Sequence, residues 1–242
     1  MGTSQSSRGP KGTSPIVPES IARGPLKPGD PKRFTQFRTA FGNFLGSGNE
    51  GDLRKALSHY ASTASGGAAQ AVNRLTPAIG AGTALYSLLS TGSTSGAGIN
   101  LTDLNGRPCE EAIQTIAEAL CQGSKDADKI RVALNDALAV ALEGIEEFSD
   151  NAITQEVLNA TMEYYLSEII FLQIVNDSGE AWYRATSNQK TVDAEIELFE
   201  LIKVVVEQSF ETALTDGIST ESIEKIQKQT VRDVWAAWRQ YS

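Results

Sequence analysis

The sequence predicts an all-α protein, an irregular multi-helix bundle preceded by an extended or disordered N-terminal leader. From Phe34 almost to the C-terminus, apolar residues recur at spacings of three and four, as one face of a helix requires. No segment alternates apolar and polar residues for more than a few positions, so strands have little support. The first 33 residues lack either period and carry Pro10, Pro15, Pro18, Pro25, Pro28 and Pro31 among glycines and serines.

Residues 1–33 form the leader. Ile16, Val17, Ile21 and Leu26 are its only sizeable apolar side chains, too few to offset the entropy of ordering the segment. It is expected to stay extended or disordered until a partner binds it, with Ile16 and Val17 as candidate anchors for a partner groove.

Residues 34–90 read as a basic helical part. Phe34, Phe37, Phe41, Phe44 and Leu45 mark a short amphipathic helix that Gly46-Ser47-Gly48-Asn49 stops. Leu53, Leu57, Tyr60 and Ala61 start a second, which ends at Gly66-Gly67. An alanine-rich helix follows over 68–90, and Pro77 with Gly80-Ala81-Gly82 is expected to kink or divide it. Ser90 to Gly98 reads STGSTSGAG, and a flexible loop over 91–100 is expected from that composition.

Residues 101–242 read as an acidic helical bundle. Pro108, with Glu110 and Glu111 close behind, signals a helix start and complements its dipole, giving a helix to about Cys121. Four longer helices are expected over about 126–148, 153–176, 191–215 and 220–241. The 153–176 helix is apolar on most sides, which suits a bundle centre. In the last helix Trp235 and Trp238 share a stripe with Ile223, Val231 and Val234. Closing a core is one reading of these tryptophans and docking a partner the other, since aromatic anchors dominate binding hot spots.

Charge divides the chain in the same way. Residues 1–75 hold ten basic and four acidic side chains, and 76–242 hold eleven and twenty-six. An acidic body of this kind repels a phosphate backbone, so direct nucleic-acid binding is not expected. No run of apolar residues is long enough to span a bilayer, and a soluble, cytoplasmic protein is the expectation.

The catalytic inventory is thin. His59 is the one histidine, and no cysteine or carboxylate cluster stands at ligand spacing, so no His/Cys metal site is expected. No G-x-S-x-G elbow surrounds a serine, and no phosphate-binding loop is present. Cys109 and Cys121 lie in one predicted helix, about 18 Å apart at 1.5 Å per residue, too far for a disulfide. Glu163 and Glu168 interrupt the apolar helix and are read as solvent-exposed or paired. A non-enzymatic role is the stronger inference, with no cofactor of the chain's own.

That leaves the leader MGTSQSSRGPKGTSP as the most distinctive chemistry. Removal of Met1 would expose Gly2, whose α-amine has an ordinary pKa near 7.7–8.0, so roughly a tenth is unprotonated at pH 7. Gly2 and Ser6 also satisfy the N-myristoylation pattern, with Arg8, Lys11, Arg23 and Lys27 as the electrostatic second signal. A membrane-associated, lipid-anchored adaptor is therefore the alternative reading.

The leader pattern G-T-S-x-S-x-x-G-P, the Val17-Pro18 step, and the stretch LRKALSHYASTASGGAAQAVNRL from Leu53 to Leu75 resemble the QatB family of the bacterial Qat anti-phage system. The resemblance implies an operon that also encodes an ATPase, a QueC-like synthase and a TatD-like nuclease. It further implies that this chain is a non-catalytic subunit whose leader is presented to the synthase. There Gly2 would accept a deazaguanine, with Thr3, Ser4, Ser6, Gly9 and Pro10 as leader contacts. ATP and the deazaguanine would be used by the synthase, and the helical body would dock on partner subunits.

Overall fold

A computed structural model describes residues 32–94, 97–121, 126–185, 187–214 and 222–241. The leader lies outside them except for Lys32 and Arg33. The protein is all-α: eight α-helices account for most of the described residues, and those from Phe34 onward share one hydrophobic core.

Helix α1 (Thr35–Ser47) buries Phe37, Phe41, Phe44 and Leu45 and stops at Gly48, whose φ of 72° is left-handed. Helix α2 (Glu50–His59) is capped by the Asn49 side chain, which accepts from the Gly51 amide at 2.8 Å. It runs into a π-helical turn over Tyr60–Ala64. Helix α3 (Ala68–Thr91) follows, then a two-residue antiparallel hairpin, Ser93–Thr94 (β1) with Ile99–Asn100 (β2). Part of the predicted loop is therefore ordered strand.

Helices α4 (Cys109–Cys121), α5 (Ala127–Ala141), α6 (Gln155–Ser178), α7 (Asn188–Leu214) and α8 (Ile223–Trp238) complete the fold. Helix α6 lies between α5 and α7 and packs on both, while α3 packs on α6 and α8. The thiols of Cys109 and Cys121 are free and buried at opposite ends of the continuous α4.

Helix α3 corrects the sequence reading. Pro77 and Gly80-Ala81-Gly82 neither divide nor end it. Asn73, whose carbonyl Pro77 leaves without an amide partner, is exposed, as is Pro77 itself, so water can satisfy that group. Gly82 has a different use. A Cβ there would lie 2.3 Å from Oε1 of Gln227 and 2.7 Å from a ring carbon of Tyr165, so its absence lets α3 approach α8 and α6.

Both neighbours are fixed. Tyr165 is buried and donates to the Ala78 carbonyl at 2.8 Å, and Gln227 donates to Thr83 and to the Ile79 carbonyl. Gly82→Ala is expected to lower stability by about 1–3 kcal/mol through overpacking, although alanine is the better helix former by about 1 kcal/mol. Thermal unfolding checks this, and an unchanged or raised melting temperature would contradict it.

Candidate functional site

The polar chemistry of the body concentrates at the C-terminal end of α6. Asp177 falls on the same buried stripe as Ile170 and Ile174, so its carboxylate is turned inward and is 8% exposed. It accepts from the Tyr60 hydroxyl at 2.7 Å and from Nη2 of Arg74 at 2.7 Å. The π-helical turn begins at Tyr60, an irregularity that often marks a special position. Arg74 reaches the carboxylate from α3.

Two more cations meet this end of α6. Nε of Arg38 donates to the Asp177 carbonyl at 3.0 Å, and Nζ of Lys129 donates to Oε1 of Gln173 at 2.9 Å. The last turn of a helix carries partial negative charge, which cations offset. The hydrogen bond to Asp177 holds the Arg74 guanidinium above its ordinary pKa. Burial, then the Asp177 charge, holds the Tyr60 phenol well up, and burial pulls the Lys129 ammonium down. The Asp177 side chain spends both oxygens on protein donors, so this cluster acts as a structural clasp joining α1, the π-helical turn, α3 and α6.

Glu168 is the other inward carboxylate and corrects the sequence reading of an exposed or paired residue: it is 7% exposed. Burial first, and the Asp136 charge second, push its pKa up to about 7. Glu163, five residues earlier, is half-buried.

The residues singled out in the sequence fall into two groups. Gly2, Thr3, Ser4, Ser6, Gly9, Pro10, Ile16 and Val17 lie outside the described residues. Trp235 and Trp238 lie in the core, 1% and 0% exposed, which is the core-closing role; their rings offer no surface to a docking partner. They are 5.1 Å apart, and Nε1 of Trp235 donates to Ser65 at 2.8 Å. His59 ends α2 half-buried, its pKa lowered by burial and then by Lys55. Burial and then Glu110 raise the Cys109 thiol, against the thiolate a nucleophile needs.

Among the described residues no group of three or more His, Cys, Asp or Glu side chains is placed to hold a metal ion. No described helix is long and apolar enough to cross a membrane.

A family model described as Qat anti-phage system associated protein QatB matches residues 66–238. The chain belongs to the QatB family. The matched range runs through helices α3 to α8 and contains Arg74, Lys129, Glu168 and Asp177, whereas Arg38 and Tyr60 precede it. Membership makes the chain a component associated with the Qat anti-phage system and implies partner components within that system. No curated protein and no solved structure gives a significant match.

Proposed function

We propose that this QatB-family chain is a non-catalytic subunit of an anti-phage complex, whose leader is presented to a QueC-like synthase and modified at Gly2 while its helical body docks on partner subunits. Membership in a family associated with the Qat system carries the reading. Support comes from the leader, where the residue behind Met1 is a glycine whose α-amine would be unhindered, and from a body whose best-placed ionisable groups are committed to a structural clasp.

The chemistry asked of Gly2 is amide formation. The synthase would use ATP to convert a deazaguanine carboxylate to its acyl adenylate, releasing pyrophosphate. The neutral α-amine would attack the acyl carbon, the bond to AMP would break, and the nitrogen would give up one proton. Thr3, Ser4, Ser6, Gly9 and Pro10 would hold the leader in the synthase, with Ile16 and Val17 as outer anchors. The ATPase and TatD-like nuclease of the system are the remaining candidate partners.

Intact-mass measurement of the chain co-expressed with its operon tests this. The expected result is loss of Met1 and gain of one amide-linked deazaguanine, mapped to Gly2 by peptide fragmentation and absent when the synthase is omitted. A myristoyl mass would establish the lipid-anchored adaptor instead. A leader that is only Met-processed with active synthase present would refute the modification.

A further inference from the structure

Among the described residues, the large apolar side chains left exposed are Val132 and Val140 on α5 and Val192, Ile196 and Val204 on α7, between 44% and 58% exposed. Scattered single cases are ordinary on a protein surface, but a cluster is a sign of an interaction site. All five lie on the two helices that flank α6.

Spacing places most of them along one trough. On α6, Tyr164, Phe171, Leu172 and Val175 form an outer stripe that α5 and α7 leave half-buried. On α5, Lys129, Val132, Asp136 and Val140 recur at three and four residues, and this side meets α6, as the Lys129–Gln173 contact shows. On α7, Val192, Ile196 and Phe199 share one side. The Phe199 ring lies 5.1 Å from Tyr164 and 5.9 Å from Phe171. At one end the trough widens into an open depression of about 500 Å³ whose apolar lining is Val132, Leu172 and Val175.

The charge of the trough has one dominant sign. Glu168 sits in its α6 stripe, beside Asp136 from α5, and the Tyr164 phenol feels Glu168, Asp136 and Glu200 of α7 together. Among the described residues none of these three carboxylates is held in an ion pair; of the cations beside the trough, Lys129 is engaged with Gln173 at 2.9 Å and Asp126 at 3.9 Å, and Lys203 with Glu207 at 3.6 Å. A nearly buried carboxylate without a cation costs stability and gains from one that arrives from outside.

We propose that this trough is the docking surface for an amphipathic basic helix of a partner protein, whose apolar side chains cover Val132, Val140, Ile196 and Phe199 and whose lysines or arginines meet Asp136, Glu168 and Glu200. A helix laid in a groove between helices supplies apolar anchors at i, i+3, i+4 and i+7, which is the spacing the trough itself presents. A second copy of this chain does not fit, because a two-fold contact would set the same carboxylates against each other. The proposal rests on the reading that the helical body docks on a partner subunit.

The test uses the full chain and two labelled synthetic peptides of identical pattern, leucines at i, i+3, i+4 and i+7 with lysines between them in one and glutamates in the other, followed by fluorescence anisotropy. The Leu/Lys peptide is expected to bind at least about tenfold more tightly than the Leu/Glu peptide. Val140→Ser combined with Ile196→Ser is expected to weaken it by about tenfold, and Asp136→Asn combined with Glu200→Gln to abolish its advantage. All four positions are exposed, so unchanged circular dichroism and melting confirm that the variants fold.

Equal affinity for the two peptides, or binding that ignores both variants, would overturn the proposal. A dimer seen by light scattering and lost in Ile196→Ser would assign the trough to a second copy. The peptide assay involves neither the synthase nor a modified Gly2, so an unmodified leader would leave its outcome unaffected. Operon partners that co-purify equally with the Val140→Ser, Ile196→Ser variant would preserve the docking reading and refute this surface.

Discussion

Asp177→Ala is expected to destabilise the protein by about 3 kcal/mol, lowering its melting temperature by roughly 6–12 °C for a chain of this size. The effect comes from what the substitution leaves behind. Arg74 would keep a partly buried guanidinium, 31% exposed, without its carboxylate, and the Tyr60 hydroxyl would be enclosed in the core without an acceptor. Water reaches Arg74, which places the value at the lower end of what breaking a buried pair costs. Tyr60→Phe alone should cost about 1 kcal/mol, but in the Asp177→Ala background it should recover about 1 kcal/mol, because it removes the buried hydroxyl that has lost its acceptor. Differential scanning calorimetry of the two single variants and the double variant reads this directly. A fall of less than about 2 °C for Asp177→Ala would show that the clasp is not a major support of the fold.

The helical architecture was legible because it depends on spacing. Phe37, Phe41, Phe44 and Leu45 reach the core as their three- and four-residue intervals require, and Trp235 and Trp238 close it. Pro77 misled because the cost of a proline depends on which side of the helix it occupies. On the exposed side of α3 the proline ring meets solvent and the freed Asn73 carbonyl is open to water. Gly82 looked like a helix breaker beside Gly80, yet its role is set by Gln227, 145 positions away in the chain.

The clasp was missed for a related reason. Arg74 in an alanine-rich helix and Asp177 seven residues after Ile170 each look like an ordinary charged residue, and only the fold brings them within 2.7 Å. The signal available was positional: Asp177 continues the inward period of Ile170 and Ile174, where an unpaired carboxylate would be costly. The same reasoning applies to Glu168. The outer stripe of α6 is itself apolar, so a glutamate on it is enclosed by the neighbours of that stripe.

Glu168→Gln is expected to change stability in a pH-dependent way. Burial and Asp136 raise the Glu168 carboxyl from an ordinary 4.5 to about 7 in the folded chain. Between those values the folded state holds a proton that the unfolded state has released, so stability falls as pH rises through this window. Below about pH 4.5 Glu168 is neutral in both states and carries no electrostatic penalty; above about pH 7 the penalty is complete, at about 3 kcal/mol. Glutamine cannot ionise, so the variant should gain up to about 3 kcal/mol relative to wild type between pH 4.5 and pH 8. Any fixed packing cost of the amide cancels in that difference. Asp136→Asn should lower the Glu168 pKa and shift the wild-type profile toward lower pH, since it removes the neighbouring negative charge. Denaturant unfolding of wild type and both variants at a series of pH values measures the slopes. A stability difference between Glu168→Gln and wild type that stays constant with pH would mean that Glu168 titrates as an ordinary surface carboxylate. The predicted slope would instead establish an ionised Glu168 near neutral pH as an unfavourable charge in the free protein, one that a cation from a docked helix would relieve.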